Sequence, residues 1–124
     1  VRGAMFDDMN RWLRPTVVYC HRFSGLQGTF CRRGGRAYIG ISNRPDLRKA
    51  QHAAGSWWFE LTDPSLYTER RYRTRITARL VERWSIALFR PIGNTQHNGA
   101  HGRQANRRAA LRSTAALIRQ ERTR

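Results

Sequence analysis

Two stretches decide the fold, Thr16-Val17-Val18-Tyr19-Cys20 and Ala37-Tyr38-Ile39-Gly40-Ile41-Ser42. Both are short, β-branched and aromatic, the composition of buried strands. Between them residues 24–35 carry Gly25, Gly28, Gly34 and Gly35, with Arg32, Arg33 and Arg36 close by. That connection reads as a long basic hairpin loop, and two strands joined this way pair antiparallel most simply.

Working outward from the second strand, Pro45 suits the first turn of a helix, with Asn43 just upstream as its cap. The helix is expected to run to Ala54 and to stop at Gly55. Residues 56–62, with Trp57, Trp58 and Phe59, read as a third strand. Asp63-Pro64-Ser65 then starts a long helix over 65–89, ended by Pro91 and Gly93. Its apolar positions Tyr72, Ile76, Leu80, Trp84, Ala87 and Leu88 follow helical spacing and read as core. A polar loop over 94–102 leads to a last helix, 103–121, rich in arginine. Upstream, Met5, Phe6, Met9, Trp12 and Leu13 give residues 3–14 an amphipathic helical pattern, with Asp7 and Asp8 near its positive end and Pro15 closing it. The expected class is α+β: a small three-stranded antiparallel sheet flanked by helices, with an N-terminal helix (1–15), a core (16–94) and a basic C-terminal extension (95–124) forming one domain.

The 124 residues are enough for one compact domain, and 40% of them are apolar. Lys and Arg total 24 against 8 acidic residues, a formal charge of +16 and a pI near 11.7. Such self-repulsion persists where a polyanion neutralises it, so nucleic acid leads as partner; ribosomal, capsid and secreted cationic proteins share the composition. Lys49 is the only lysine. Arginine makes planar two-point phosphate contacts that lysine cannot, though a GC-rich genome gives the same bias. Cys20 and Cys31 are too few for a disulfide framework and could pair only across neighbouring strands. No Cys/His cluster suggests zinc, and no apolar run approaches the roughly 20 residues of a membrane span. The start Val-Arg-Gly-Ala-Met fits a tag remnant, a GTG start or the edge of a fragment; cytoplasmic residence, in a bacterial or phage context, is the default expectation.

Val18-Tyr19 followed by Tyr38-Ile39-Gly40 resembles the paired signature of the GIY-YIG nucleases, the first triplet being Val-Val-Tyr here. Arg48 stands eight residues after Gly40, and His52 four after Arg48. Glu82 falls in the long helix, and Asn94 follows it by twelve residues, just past Phe89-Arg90-Pro91. This is similar to the family's glutamate followed by a Pro-x-x-Asn element. The resemblance covers about residues 16–94. It implies a DNA endonuclease dependent on a single Mg²⁺ or Mn²⁺ ion held by Glu82. Arg48 is implied as the clamp on the scissile phosphate, and Tyr19, rather than Tyr38, as the tyrosine that helps activate water. His52 is implied as a proton shuttle or phosphate contact, and Asn94 as a support for the second helix or the glutamate. Restriction-type members share the Arg-x-x-x-His and Glu-to-Asn spacings; an effector toxin with an acidic immunity partner and half of a split homing enzyme are the other settings. The chain departs from the pattern in lacking Gly-Ile before Tyr19 and in the insertion at 23–36.

The residues also make chemical sense by themselves. Phosphodiester hydrolysis needs a deprotonated water, stabilised charge on the non-bridging oxygens and help for the leaving oxygen. One carboxylate plus waters can hold Mg²⁺. Asp7, Asp8 and Glu121 lie near the ends, and Asp46 and Asp63 serve helix starts, so Glu60 and Glu69 are the rivals of Glu82. Each residue also has a plain reading: Glu82 as a solvated helix residue paired with Arg79 or Arg83, the tyrosines as good strand formers, Arg48 and His52 as surface groups. Arg44, Lys49, Arg70, Arg71, Arg73, Arg75, Arg79 and Arg83 suit a phosphate-tracking face. Arg32, Arg33 and Arg36 are candidates for base contacts, and Arg103, Arg107 and Arg108 for phosphate contacts from the tail. The expected partner is DNA, with no membrane, and the chain acts as monomer or homodimer. The competing expectation is a non-catalytic basic nucleic-acid-binding protein on the same scaffold.

Overall fold

The computed structural model describes residues 9–25, 32–94 and 103–123, the last stretch with side chains from Arg108 onward. The fold is α+β. An N-terminal helix, described over 9–13 (α1), precedes β1 (Thr16–Arg22), β2 (Arg36–Ser42), α2 (Pro45–Gly55), β3 (Thr68–Tyr72), α3 (Arg75–Phe89) and α4 (Arg103–Arg122). The three strands form one antiparallel sheet in the order β2-β1-β3. Residues 1–8, 26–31 (with Cys31) and 95–102 lie outside the described residues, and with them the first part of the helix expected over 3–14 and most of the loop expected over 94–102. Cys20 is a buried free thiol. Among the described residues no helix is long and apolar enough to cross a membrane.

The third strand is not the tryptophan-rich segment. Residues 57–58 form a turn and Phe59–Leu61 a single 3₁₀ turn, so Trp58 and Leu61 enter the core from a tight bend. The strand is Thr-Glu-Arg-Arg-Tyr, with every side chain but Tyr72 exposed. As an edge strand it is held by backbone bonds to β1 in a register from Thr16↔Tyr72 to Cys20↔Thr68. No alternation of apolar residues is needed for that, and charged side chains protect the open edge.

The long helix also starts later than expected. Asp63 accepts a bond from the Ser65 amide and caps only the 3₁₀ turn Pro64–Leu66. The cap of α3 is Thr74, which accepts from the Thr77 amide. Entry from β3 through this cap turns the helix so that Ala78, Glu82 and Ile86 face inward. The stripe expected in the core therefore points outward: Ile76, Leu80, Trp84 and Leu88 are 49%, 55%, 77% and 74% exposed, and Ala87 is exposed as well. Tyr72 belongs to β3.

Side chains alternate across a strand, and β1 shows it. Cys20 and Val18 with Ile39 of β2 pack under Ile86 of α3. Tyr19, His21 and Tyr38 point the other way, toward α2 and the 57–61 turn. Helices thus cover both faces of the sheet. A second cluster joins Phe23, Ala37, Leu61 and Ile92 to Leu111 and Ala115 of α4. Arg119 and Arg122 pair with Glu60, so the basic C-terminal helix is built into the core rather than appended to it.

Candidate active site

The site grows from β1 and β2. Tyr19 and Gly40 are register partners, and the tyrosine ring crosses over the glycine. A Cβ on Gly40 would stand 2.5 Å from the Tyr19 hydroxyl oxygen and 2.9 Å from Cε1 of Tyr38. Glycine is required there because two aromatic rings occupy the space of its side chain. Tyr38 stacks on Trp58 with centroids 4.5 Å apart and an interplanar angle of 9°. The two tyrosine rings lie 6.0 Å apart.

Pro45 starts α2, and the helix brings Arg48 and His52 to the same face one turn apart. The Tyr19 hydroxyl lies 2.7 Å from His52 Nε2, and His52 Nδ1 lies 2.7 Å from Ser56 Oγ. An Nδ1–H donating to Ser56 leaves Nε2 to accept the tyrosine proton. Burial, with Arg48 adding to it, pushes the His52 pKa down to about 4, so the ring is neutral at physiological pH. Burial and neighbouring Tyr38 raise the Tyr19 pKa well above the ordinary phenol value, against the pull of Arg48. Tyr19 is therefore a proton donor, not a standing phenolate. The Arg48 guanidinium sits against both tyrosine hydroxyls, and its Nη1 also donates to Gln51 at 3.1 Å. Arg48 is exposed, as a contact for an incoming phosphate must be.

Tyr19, Tyr38, Arg48 and His52 are thus brought together. Glu82 comes from the other side: it lies on the inward stripe of α3, one turn before Ile86, beneath the opposite face of the sheet. It is 7% exposed and accepts a bond from Arg79 Nη1 at 3.0 Å. The arginine pairing expected of a plain helix residue is present, but the carboxylate is buried rather than solvated. Asn94 donates to the Ile39 carbonyl at 2.7 Å and accepts from the Ile39 amide at 2.9 Å. It thus supports the outer edge of β2 instead of the glutamate or the helix end. Of the rival carboxylates, Glu60 is engaged by the arginines of α4. Glu69 is the register partner of Tyr19 and accepts a bond from Tyr67 at 2.8 Å.

Several cations expected to meet nucleic acid, by base or phosphate contacts, already touch other groups of the protein. Arg108 is 8% exposed and points its Nε at the Ile92 carbonyl, 3.4 Å away. Its Nη2 is buried without a hydrogen-bond partner. A side chain so enclosed cannot reach a phosphate. Arg36 lies over the Phe89 ring at 3.5 Å, and Arg33 pairs with Asp63 at 3.4 Å. Arg79 is held by Glu82, and Lys49 lies over the Tyr67 ring at 4.4 Å, beside the tyrosine cluster. Arg32, Arg44 and Arg83 are exposed. The side chains of Arg103 and Arg107 lie outside the described residues.

Two members of the site had no motif to announce them. His21, 2% exposed, fills the middle of the aromatic group, its ring centroid 4.8 Å from Tyr67 and 5.0 Å from Trp58. Burial, then His52 and Lys49, push its pKa down to about 3, and its Nε2 has no partner. Its place two residues after Tyr19 on a strand was the available signal. For Ser56 the signal was its place one helical turn after His52.

Among the described residues no three His, Cys, Asp or Glu side chains gather into a metal-ligand set. The donors present are oxygens, which suits a hard cation held by Glu82 with water completing the shell. Arg79 would then have to yield its place on that carboxylate. No protein-family model matches the chain, and neither a curated protein nor a solved structure matches it.

Proposed function

We propose that the protein is a divalent-metal-dependent endonuclease of GIY-YIG type that hydrolyses DNA phosphodiester bonds. The observation that carries this reading is the 2.7 Å contact between the Tyr19 hydroxyl and Nε2 of a neutral His52, with Arg48 against both tyrosines. A phosphate seated on the Arg48 guanidinium would be held where charge develops on its oxygens. Water attacks phosphorus as it gives its proton to the Tyr19 oxygen, and Tyr19 passes its own proton to His52 Nε2. The bond from phosphorus to the leaving sugar oxygen breaks, that oxygen taking a proton from solvent water. The imidazolium that forms is disfavoured in the free protein by burial and by Arg48. An anionic phosphate on Arg48 offsets that repulsion, so the base strengthens once substrate is bound. Tyr38, stacked on Trp58, fixes the wall beside Tyr19. Glu82 would hold the Mg²⁺ or Mn²⁺ ion, which would supply charge for the phosphate and leaving oxygens. Glu82 lies on the α3 side of the sheet, so its metal role rests on the sequence resemblance.

The biological setting, restriction or effector toxin, depends on partners; an acidic immunity-type protein would fit a toxin of this charge. The deciding assay is nicking of supercoiled plasmid with Mg²⁺ against EDTA, for the wild type, Tyr19→Phe and Glu82→Gln. The reading requires cleavage by the wild type only with metal, and none by the variants while DNA is still bound. Near-normal cleavage by Glu82→Gln would move the metal role to Glu69. DNA binding without any cleavage would leave a basic binding protein on this scaffold.

A further inference from the structure

The face of the sheet opposite Tyr19 is only partly covered. α3 packs on β1 and β2 through Ile86, against Val18, Cys20 and Ile39, while the side chains of β3 other than Tyr72 stay exposed. Between α3 and β3 runs a groove of about 340 Å³, within the range of small-molecule sites. Its floor is apolar, with Val18 and Cys20, and Ser85 stands on the helix wall.

The rim is cationic and aromatic together. Arg36 lies over the Phe89 ring at 3.5 Å, and on β3 Arg70 stands 5.7 Å from the ring of Tyr72, two residues along the same strand. Arg22 joins them, its Nη1 fixed on the Gly34 carbonyl at 2.9 Å. Three guanidinium groups face one carboxylate, Glu69, already engaged by Tyr67. The balance favours an anion. A guanidinium laid flat on a ring keeps its N–H edge for phosphate oxygens and offers its face for stacking.

We propose that this groove binds a nucleotide, its base against the apolar floor and the aromatic walls and its phosphate on Arg36 and Arg70. A carboxylate ligand would meet the same cations, but the two-point match to phosphate and the +16 charge of the chain favour a nucleic-acid component. Tyr19 also lines the groove, from the central strand, but the cations and rings proposed to hold the nucleotide are not those of the Tyr19–His52 contact, so nucleotide binding is tested separately from cleavage.

The test is calorimetric titration of the full chain with adenosine monophosphate, with adenosine and with inorganic phosphate, at one ionic strength. The nucleotide is expected to bind at least about tenfold more tightly than either part, a difference of about 1.4 kcal/mol. Ser85→Trp, which fills the groove, and Arg70→Ala, on an exposed edge, should each weaken it by about fivefold or more. If Ser85→Trp fails to fold, Arg70→Ala decides alone, read beside its melting temperature. Equal binding of inorganic phosphate would overturn the proposal, since the groove would then be plain surface charge. So would unchanged nucleotide binding in Arg70→Ala, or tighter binding of a Glu-Phe-Glu peptide.

Discussion

The Tyr19 hydroxyl occupies the place where a side chain on its strand partner Gly40 would begin, 2.5 Å from an ideal Cβ. The register of two strands thereby aims the phenol across β2 at His52. Adding one methyl must displace the ring or part the strands. Gly40→Ala is expected to destabilise by roughly 1–3 kcal/mol, the usual cost of overpacking, and to lose cleavage by more than its unfolded fraction explains. Gly55→Ala is the control, because a Cβ there meets nothing within 4 Å. Denaturant melts beside plasmid-nicking rates check both variants; a fully active Gly40→Ala would mean that the Tyr19–His52 contact is not used.

His21 and His52 are both buried with lowered pKa values, about 3 and about 4. The unfolded chain takes up those protons near pH 6.5, and the folded one does so only at much lower pH. The stability they contribute is complete above about pH 6.5 and is lost as pH falls toward 4 and 3. Linkage puts the loss by pH 4 on the order of 3 kcal/mol per histidine. Urea melts from pH 7 to pH 4 should show it, and His21→Phe should flatten the slope. A stability that holds level across that range would show the imidazoles to be more open to water than this.

On the proposed reading, Arg48→Ala removes one phosphate contact among many, but the one beside the reacting group. The rate should fall by about 10²–10³ with DNA affinity nearly kept. Without its charge, the His52 pKa should rise toward the ordinary value, which a histidine NMR titration reads directly. An affinity loss that accounts for all the lost activity would reduce Arg48 to ordinary surface charge.

Leu111 of α4 is 4% exposed in the cluster of Phe23, Leu61 and Ile92, whereas Trp84 of α3 is 77% exposed. Leu111→Ala is expected to cost about 2–5 kcal/mol through a cavity, and Trp84→Ser within about 0.5 kcal/mol of nothing. Removing 103–124 should accordingly impair folding, not merely weaken DNA binding. Chemical denaturation of both point variants is the check; the reverse order of costs would mean that α3 buries its other face.

Local composition was sufficient for part of this protein. β1 and β2 are legible because β-branched and aromatic residues crowd both, and α2 because Pro45 opens it and Gly55 ends it. The order of Tyr19, Tyr38, Arg48 and His52 on those elements was enough to bring together the group now seen in one place. What lay beyond sequence depended on long-range contact. β3 has no apolar pattern, since an edge strand is stabilised by backbone bonds to β1, which carry no side-chain signature. The apolar spacing on α3 is helical on either of two faces, and only the turn from β3 through Thr74 decided which would meet the sheet. Trp57, Trp58 and Phe59 match a strand in composition, yet the aromatic pocket around His21 and Tyr38 needed a tight turn. His21 itself carries no motif, because its role comes from the rings packed around it, contributed by residues up to 46 positions away.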